Sequence, residues 1–289
     1  MSAEYRQINL ADGRRLAFCE YGASQGKPVF YFHGWPGSRL EARLAEPTAR
    51  RFNARLIAVD RPGFGRSDFK KRRTLLDWPE DIGQLADALG LNRFSVAGVS
   101  GGGPYALACA RHIPERLTAV AVVCGLGPLQ SPSVRAGMSP LARRTFYLCR
   151  TAPWLLRMIF ARTAWRLRRD FDWYLSHISD ALPPADKQAL FGSELKDIIV
   201  QSTLEAVRFG TRGSAWEGKL YASPWPFRLE DISTEVYLWH GEQDATVPAT
   251  MGHHVAQTLG NCRPRFYADE GHFSLVTNHM AEFFEVLTA

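Results

Sequence analysis

The chain has 289 residues, enough for one large α/β domain or a core domain that carries an insertion. Its hydrophobic content of 46% supplies an ordinary globular core, and no uninterrupted apolar run reaches the ~18 residues of a membrane span. The net charge of +6 is local: nine arginines and no Asp or Glu lie between Leu129 and Arg169, and the rest carries 26 basic against 29 acidic residues, which argues against general nucleic-acid affinity.

Two polar-apolar strands open the chain, "YRQINL" and "RRLAFCEYG", joined at Asp12-Gly13, a hairpin signal. "PVFYFHG" follows, then a helical "SRLEARLAEPTARRF" and the strand "ARLIAVD". Short, fully apolar runs of this kind suit strands covered by helices on both faces. "WPEDIGQLADALGL" reads as a helix opened by Pro79 and closed by Gly90. Strand "RFSVAGV", helix "PYALACARHI" and strand "LTAVAVVCG" continue the alternation, which predicts a mostly parallel, doubly wound α/β sheet.

The rhythm breaks at Gly127-Pro128. Residues 128–228 hold helical patterns and Pro-bounded turns but no buried strand. Alternation resumes with "TEVYLWHG", helix "ATMGHHVAQTLG", strand "RPRFYADEG" and a last helix "NHMAEFFEVL". The expected organisation is a core built from 1–127 and 229–289, interrupted by a helical insertion over 128–228. Within it, "APWLLRMIFARTAWRLRR" predicts a helix with Leu156, Phe160, Ala164 and Leu167 on one face and Arg162, Arg166 and Arg169 on the other. Those arginines either lie in water or recruit anionic substrates or an acidic membrane surface.

The polar N-terminus lacks the apolar h-region of a secretory signal. Five scattered cysteines (Cys19, Cys109, Cys124, Cys149, Cys262) without a C-x-x-C pair suit reduced thiols rather than a disulfide frame or zinc site, which favours the cytoplasm.

The stretch "AGVSGGGP" concentrates the chemistry. A P-loop needs Lys-Ser or Lys-Thr after its last glycine, but Pro104-Tyr105 stands there, and the spacing is not G-x-G-x-x-G. What remains is G-x-S-x-G at a strand-to-helix turn, with Ser100 strained and Gly98 and Gly102 giving it room. A serine hydroxyl needs a base, and the base an orienting acid. Asp244 and His272 follow two later strands, in the chain order Ser, Asp, His. Strand carboxyl ends gather along one edge of a parallel sheet, so these loops converge there. Asp269 is the rival orienter, expected inside the last strand, and Asp244 has a rival role as a helix cap. His33 and His240 sit in His-Gly turns and are expected to be structural, as are Asp60 and Asp68 around "RPGFGRS". His253-His254 lacks a third ligand, and no metal site is expected.

The set "HGWPGS", "DRPGFGRSD", "GVSGGG", "HGEQDATVP" and "GHFS" resembles the α/β-hydrolase family over almost the whole core. That resemblance implies a Ser100–Asp244–His272 triad and an oxyanion hole from the N–H groups of Gly101 and Trp35, with His33 and Gly34 shaping the loop. The helices at 128–228 match the family's variable cap in position and helical character. No cofactor is needed for such chemistry.

A serine nucleophile argues against alkyl transfer, because attack on an alkyl carbon would leave an ether. Acyl substrates remain: ester, thioester, amide or activated C–C bonds. An ester hydrolase acting on a small-molecule acyl substrate is the leading expectation. "HGWPGS" is also similar to the proline iminopeptidase loop, for which Glu194, Glu205 and Glu217 are the candidate amine-binding residues. A small-ligand receptor on the same fold is the competing class.

Overall fold

The computed structural model describes residues 5–192 and 194–289. Eight strands form one sheet: β1 (Arg6–Asn9), β2 (Arg15–Gly22), β3 (Lys27–Phe32), β4 (Ala54–Val59), β5 (Phe94–Val99), β6 (Leu117–Val123), β7 (Val236–Gly241) and β8 (Cys262–Tyr267). Their spatial order is β1-β2-β4-β3-β5-β6-β7-β8. β1 and β2 form the hairpin expected at Asp12-Gly13, and β2 runs antiparallel to β4; every other pairing is parallel.

Before the insertion lie α1 (Glu46–Arg51), α2 (Asp77–Ala88) and α3 (Gly103–His112). The predicted single helix after β3 divides, because residues Arg39–Ala45 wind as a 3-10 segment before α1. α2 begins at Asp77, two residues before Pro79, which leaves the proline in the first turn where no N–H is missed.

Alternation along the strands separates two cores. Phe30, Phe32, Val96, Val120 and Val122 pack under α2 and α3. Val29, Tyr31, Leu56, Ala97 and Val123 face the opposite way, toward α1 and the last helix. A period of two with apolar residues at both phases is what a sheet covered on both faces demands. The two edge strands are the exceptions: β1 and β8 are both largely exposed, and Arg263, Pro264 and Arg265 blunt β8.

Between β6 and β7, the described residues of 128–228 form seven helices and no strand: α4 (Pro132–Ala136), α5 (Pro140–Thr151), α6 (Pro153–Leu167), α7 (Phe171–Ser179), α8 (Pro184–Phe191), α9 (Leu195–Ala206) and α10 (Arg212–Ala222). α6 buries Leu156, Ala164 and Leu167 and half-buries Phe160, as the sequence pattern predicts. The chain ends with α11 (Ala249–Thr258), α12 (His272–Asn278) and α13 (Met280–Leu287). α12 is not foreseen from sequence, where the last helix begins at Asn278. Among the described residues no disulfide forms, and no helix is long and apolar enough to cross a membrane.

Candidate active site

Ser100 follows β5 directly and has φ +54°. That left-handed backbone is strained for a residue with a β-carbon, and it turns the chain sharply from strand into α3. The turn closes only because its flanks carry no side chain. A β-carbon on Gly98 would lie 2.3 Å from the Gly102 carbonyl oxygen, and one on Gly102 would lie 2.1 Å from that of Phe32.

Asp244 sits in the loop after β7, where it does not cap a helix, because the N-cap of the following helix is Pro248; its two oxygens take different partners. Oδ1 accepts the backbone N–H groups of Thr246 (2.8 Å) and Val247 (2.7 Å), fixing the loop. Oδ2 lies 2.7 Å from His272 Nδ1. Nδ1 therefore carries the proton donated to the carboxylate, and Nε2 remains the basic nitrogen. Burial alone would lift the Asp244 carboxyl, but the imidazole and its hydrogen bond hold it below the ordinary range. For His272, burial works against charge, yet the Asp244 carboxylate outweighs it and raises the imidazole above its ordinary value.

His272 and Ser100 line the same cavity. Among the described residues no hydrogen bond joins them. A nucleophile–base contact is commonly loose before substrate arrives and tightens around it. Asp269 lies in an exposed turn beyond β8, not within the strand, and away from His272 Nδ1.

The loop after β3 approaches from the other side. Its Trp35-Pro36 bond is cis. A β-carbon on Gly101 would fall 2.7 Å from Trp35 Cβ and 3.2 Å from Trp35 N, so the two backbone segments carrying the expected oxyanion donors are adjacent. Three aromatic rings, Phe146, Phe160 and Tyr221, pack around the Trp35 indole at 5.6 to 5.9 Å, and Trp35 Nε1 donates to the Ser214 carbonyl. The insertion thus grips the loop.

Beneath it, Arg61 donates to the carbonyls of His33 and Gly34 and, at 2.6 Å, to Glu217 Oε1. Glu217 also accepts from Arg73 (2.5 Å) and Tyr105 (3.0 Å), and its Oε1 lies 2.7 Å from the Tyr221 hydroxyl. Burial pushes this carboxyl up, but two guanidinium charges keep it ionised. His33 donates through Nδ1 to the Gly34 carbonyl and accepts the Arg61 N–H at Nε2, and burial with Arg61 nearby keeps it neutral. His240 likewise hydrogen-bonds the Val247 carbonyl and is held down by burial. Asp60 accepts the N–H groups of Arg39 and Arg66, and Asp68 pairs with Arg15.

The geometry corrects the amine-binding candidates. Glu217 is saturated by its buried partners, Glu205 pairs with Arg39, Arg66 and Arg208, and Glu194 with Arg43; none lines the cavity.

Two residues escape the sequence reading. Asp186, fully buried on α8, accepts the N–H groups of His272, Phe273 and Ser274. Glu41 is, among the described residues, the one carboxyl lining the cavity. It accepts from the Tyr31 hydroxyl (2.6 Å) and the Gly34 N–H (3.0 Å), and burial lifts its pKa. Neither stands in a motif; Asp186 looks like any acid in a helix's first turn.

The cavity holds about 580 Å³. Its walls are mainly apolar, from Leu141 and Phe146 on α5, through Ile178 and Leu182, to Leu56, Ala97 and Leu287 beside the sheet. A smaller cleft of about 330 Å³ near Trp225 and Arg111 contains none of the predicted residues. Cys124, Asp244 and His272 place potential metal-ligating atoms within 4.8 Å of one another. Burial and the Asp244 charge push the Cys124 thiol well above its ordinary value, and Asp244 and His272 are bonded to each other, so the trio is a poor donor set.

Comparison with known proteins agrees with this architecture. Residues 27–279 match the model of the alpha/beta hydrolase fold. A proline iminopeptidase of Xylella fastidiosa (strain Temecula1 / ATCC 700964) is 28% identical over 223 residues, 74% of this chain and 61% of that protein, so the chain spans about three-fifths of that relative's length. A non-heme haloperoxidase of Rhodococcus erythropolis is 26% identical over 94% of both chains. Among solved structures, a hydrolase from Pseudomonas aeruginosa PA01 superposes with a TM-score of 0.72 at 19% identity, covering 99% of this chain and 97% of that one. A thermophilic esterase from Thermogutta terrifontis does so with 0.69 at 23% identity, over 99% and 100%. With the match extending from β3 to past α12, the chain belongs to the alpha/beta hydrolase fold family.

Proposed function

We propose that this protein is a serine hydrolase that cleaves carboxylic esters with apolar substituents, with the helical insertion serving as its cap. The observation that carries this reading is the 2.7 Å contact between His272 Nδ1 and Asp244 Oδ2, with His272 lining the same cavity as strained Ser100. His272 Nε2 takes the Ser100 proton as Oγ attacks the ester carbonyl. Asp244 stabilises the imidazolium that forms, and the N–H groups of Gly101 and Trp35 receive the developing oxyanion. The imidazolium then protonates the leaving alcohol, and a water activated by His272 releases the acyl group.

An ester is favoured over an aminoacyl amide because Glu194, Glu205 and Glu217 are spent on arginines and, among the described residues, no carboxylate of the insertion lines the cavity. The apolar walls favour a substrate without charge near the scissile bond.

Labelling with a fluorophosphonate probe tests the nucleophile. Wild-type protein is expected to react, and Ser100→Ala to remain unlabelled and to lose p-nitrophenyl ester hydrolysis. Wild-type protein that resists the probe would point to a ligand receptor instead. Faster turnover of prolyl amides than of any ester would favour an aminopeptidase.

A further inference from the structure

The outer face of α6 bears a second apolar stripe, opposite the one packed inward. Trp154, Met158, Ala161 and Trp165 recur at i, i+4, i+7 and i+11, which puts them on one line along a helix of 3.6 residues per turn. All four are exposed, Trp154 by 64%, Met158 by 61% and Trp165 by 53%. Arginines flank the line: by the same periodicity Arg157 and Arg168 lie on one side, and Arg162, Arg166 and Arg169 on the other. The guanidinium of Arg169 lies 4.0 Å from the centre of the Trp165 ring. On α5, Leu141 (73%) and Tyr147 (67%) are exposed beside Arg143, Arg144 and Arg150.

This charge is uncompensated. None of the nine arginines between Leu129 and Arg169 forms an ion pair among the described residues, and the segment contains no acid. Elsewhere arginines are routinely paired, as Arg14, Arg39, Arg61 and Arg73 are. A helix that merely faces water has no use for two tryptophans and a methionine along its outermost line. Self-association through this face would set arginines against arginines. Aromatic and apolar groups at the centre with arginines at the margins match one environment: the boundary of a bilayer, with rings at headgroup depth and guanidinium groups on lipid phosphates.

We propose that the outer face of α6, extended by Leu141 and Tyr147 of α5, docks on anionic lipid bilayers. Leu141 also lines the cavity that holds Ser100, so docking brings one edge of that cavity to the lipid. The surface itself does not depend on what the cavity catalyses.

Co-sedimentation with vesicles tests the proposal without any assay of activity. Wild-type protein is expected to partition onto phosphatidylcholine vesicles containing 30% phosphatidylglycerol at least tenfold more than onto pure phosphatidylcholine, and to be released by 0.5 M salt. A Trp154→Ser/Met158→Ser/Trp165→Ser variant and an Arg162→Gln/Arg169→Gln variant should each lose at least tenfold of that binding. Because these side chains are exposed, circular dichroism and the urea midpoint should stay unchanged, separating lost docking from lost folding. Absent binding, equal binding to both vesicle types, or undiminished binding by the first variant would overturn the proposal. So would tighter binding to an oligonucleotide than to the vesicles, or dimerisation that the Trp154→Ser change abolishes.

Discussion

The backbone N–H of His272 is tied to the Asp186 carboxylate at 2.9 Å, across 86 residues of sequence. The same carboxylate collects the next two N–H groups, so one side chain of the insertion caps the helix that presents the imidazole. Removing it leaves three donors without their acceptor at a buried helix start.

Asp186→Ala should therefore lower stability by about 2 kcal/mol and reduce kcat/KM for p-nitrophenyl esters by roughly tenfold or more. Asp186→Asn, which keeps one acceptor oxygen, should recover part of both. Urea unfolding and steady-state kinetics on the same preparations check this. A variant that loses stability but keeps wild-type kcat/KM would reduce Asp186 to a structural cap.

The pH dependence follows from the Asp244–His272 pair. The reaction needs neutral imidazole, and the Asp244 carboxylate raises the His272 pKa above its ordinary 6.5 despite burial. Activity should therefore fall as pH drops through a value above 6.5. In Asp244→Asn the charge is gone while burial persists, so the acid limb should move to lower pH and kcat should fall by about 10³- to 10⁴-fold. A kcat/KM profile from pH 4 to 9 measures both. An acid limb that stays in place in the variant would remove Asp244 from its role.

Much of this layout is legible in the sequence, and the reason is local. Gly98, Ser100 and Gly102 encode one turn whose sterics leave no other solution, and strand-helix alternation sets which loops share an edge. The rest depends on contacts between distant segments. Glu217 reads as one of three candidate amine-binding acids until Arg61 and Arg73 are placed around it. His272 reads as a loop residue because Gly271 and Asp186, not a local Ser or Asp before it, start α12. The second apolar line of α6 is masked in the sequence by the arginines interleaved with it, which make the helix read as two-sided.

The Glu217 cluster carries the next prediction. Two arginines and a glutamate share a site almost without solvent, and Arg61 also holds the His33 and Gly34 carbonyls. Glu217→Ala strands both guanidinium groups, which should cost about 3–5 kcal/mol and loosen α10 from the core. Glu217→Gln, which keeps the shape without the charge, should lose less. Denaturant midpoints rank the three proteins; equal midpoints for wild type and Glu217→Ala would contradict the account.

The depth of the cavity predicts chain-length selectivity. Ala97 lies three residues before Ser100 on β5, about 10 Å away at the rise of a strand, and still lines the cavity with Leu56 and Leu287. That reach is roughly an eight-carbon chain in length. Wild-type kcat/KM should be at least tenfold higher for p-nitrophenyl octanoate than for the acetate. Ala97→Leu should place three extra carbons across the far end, cutting octanoate turnover at least tenfold while changing acetate turnover less than about twofold. Octyl acetate, with its chain on the alcohol, shows which side of the ester occupies this arm. Equal losses on acetate and octanoate would mean that the added bulk disturbs the sheet rather than the cavity. A wild-type preference for acetate would mean that this space receives no chain at all.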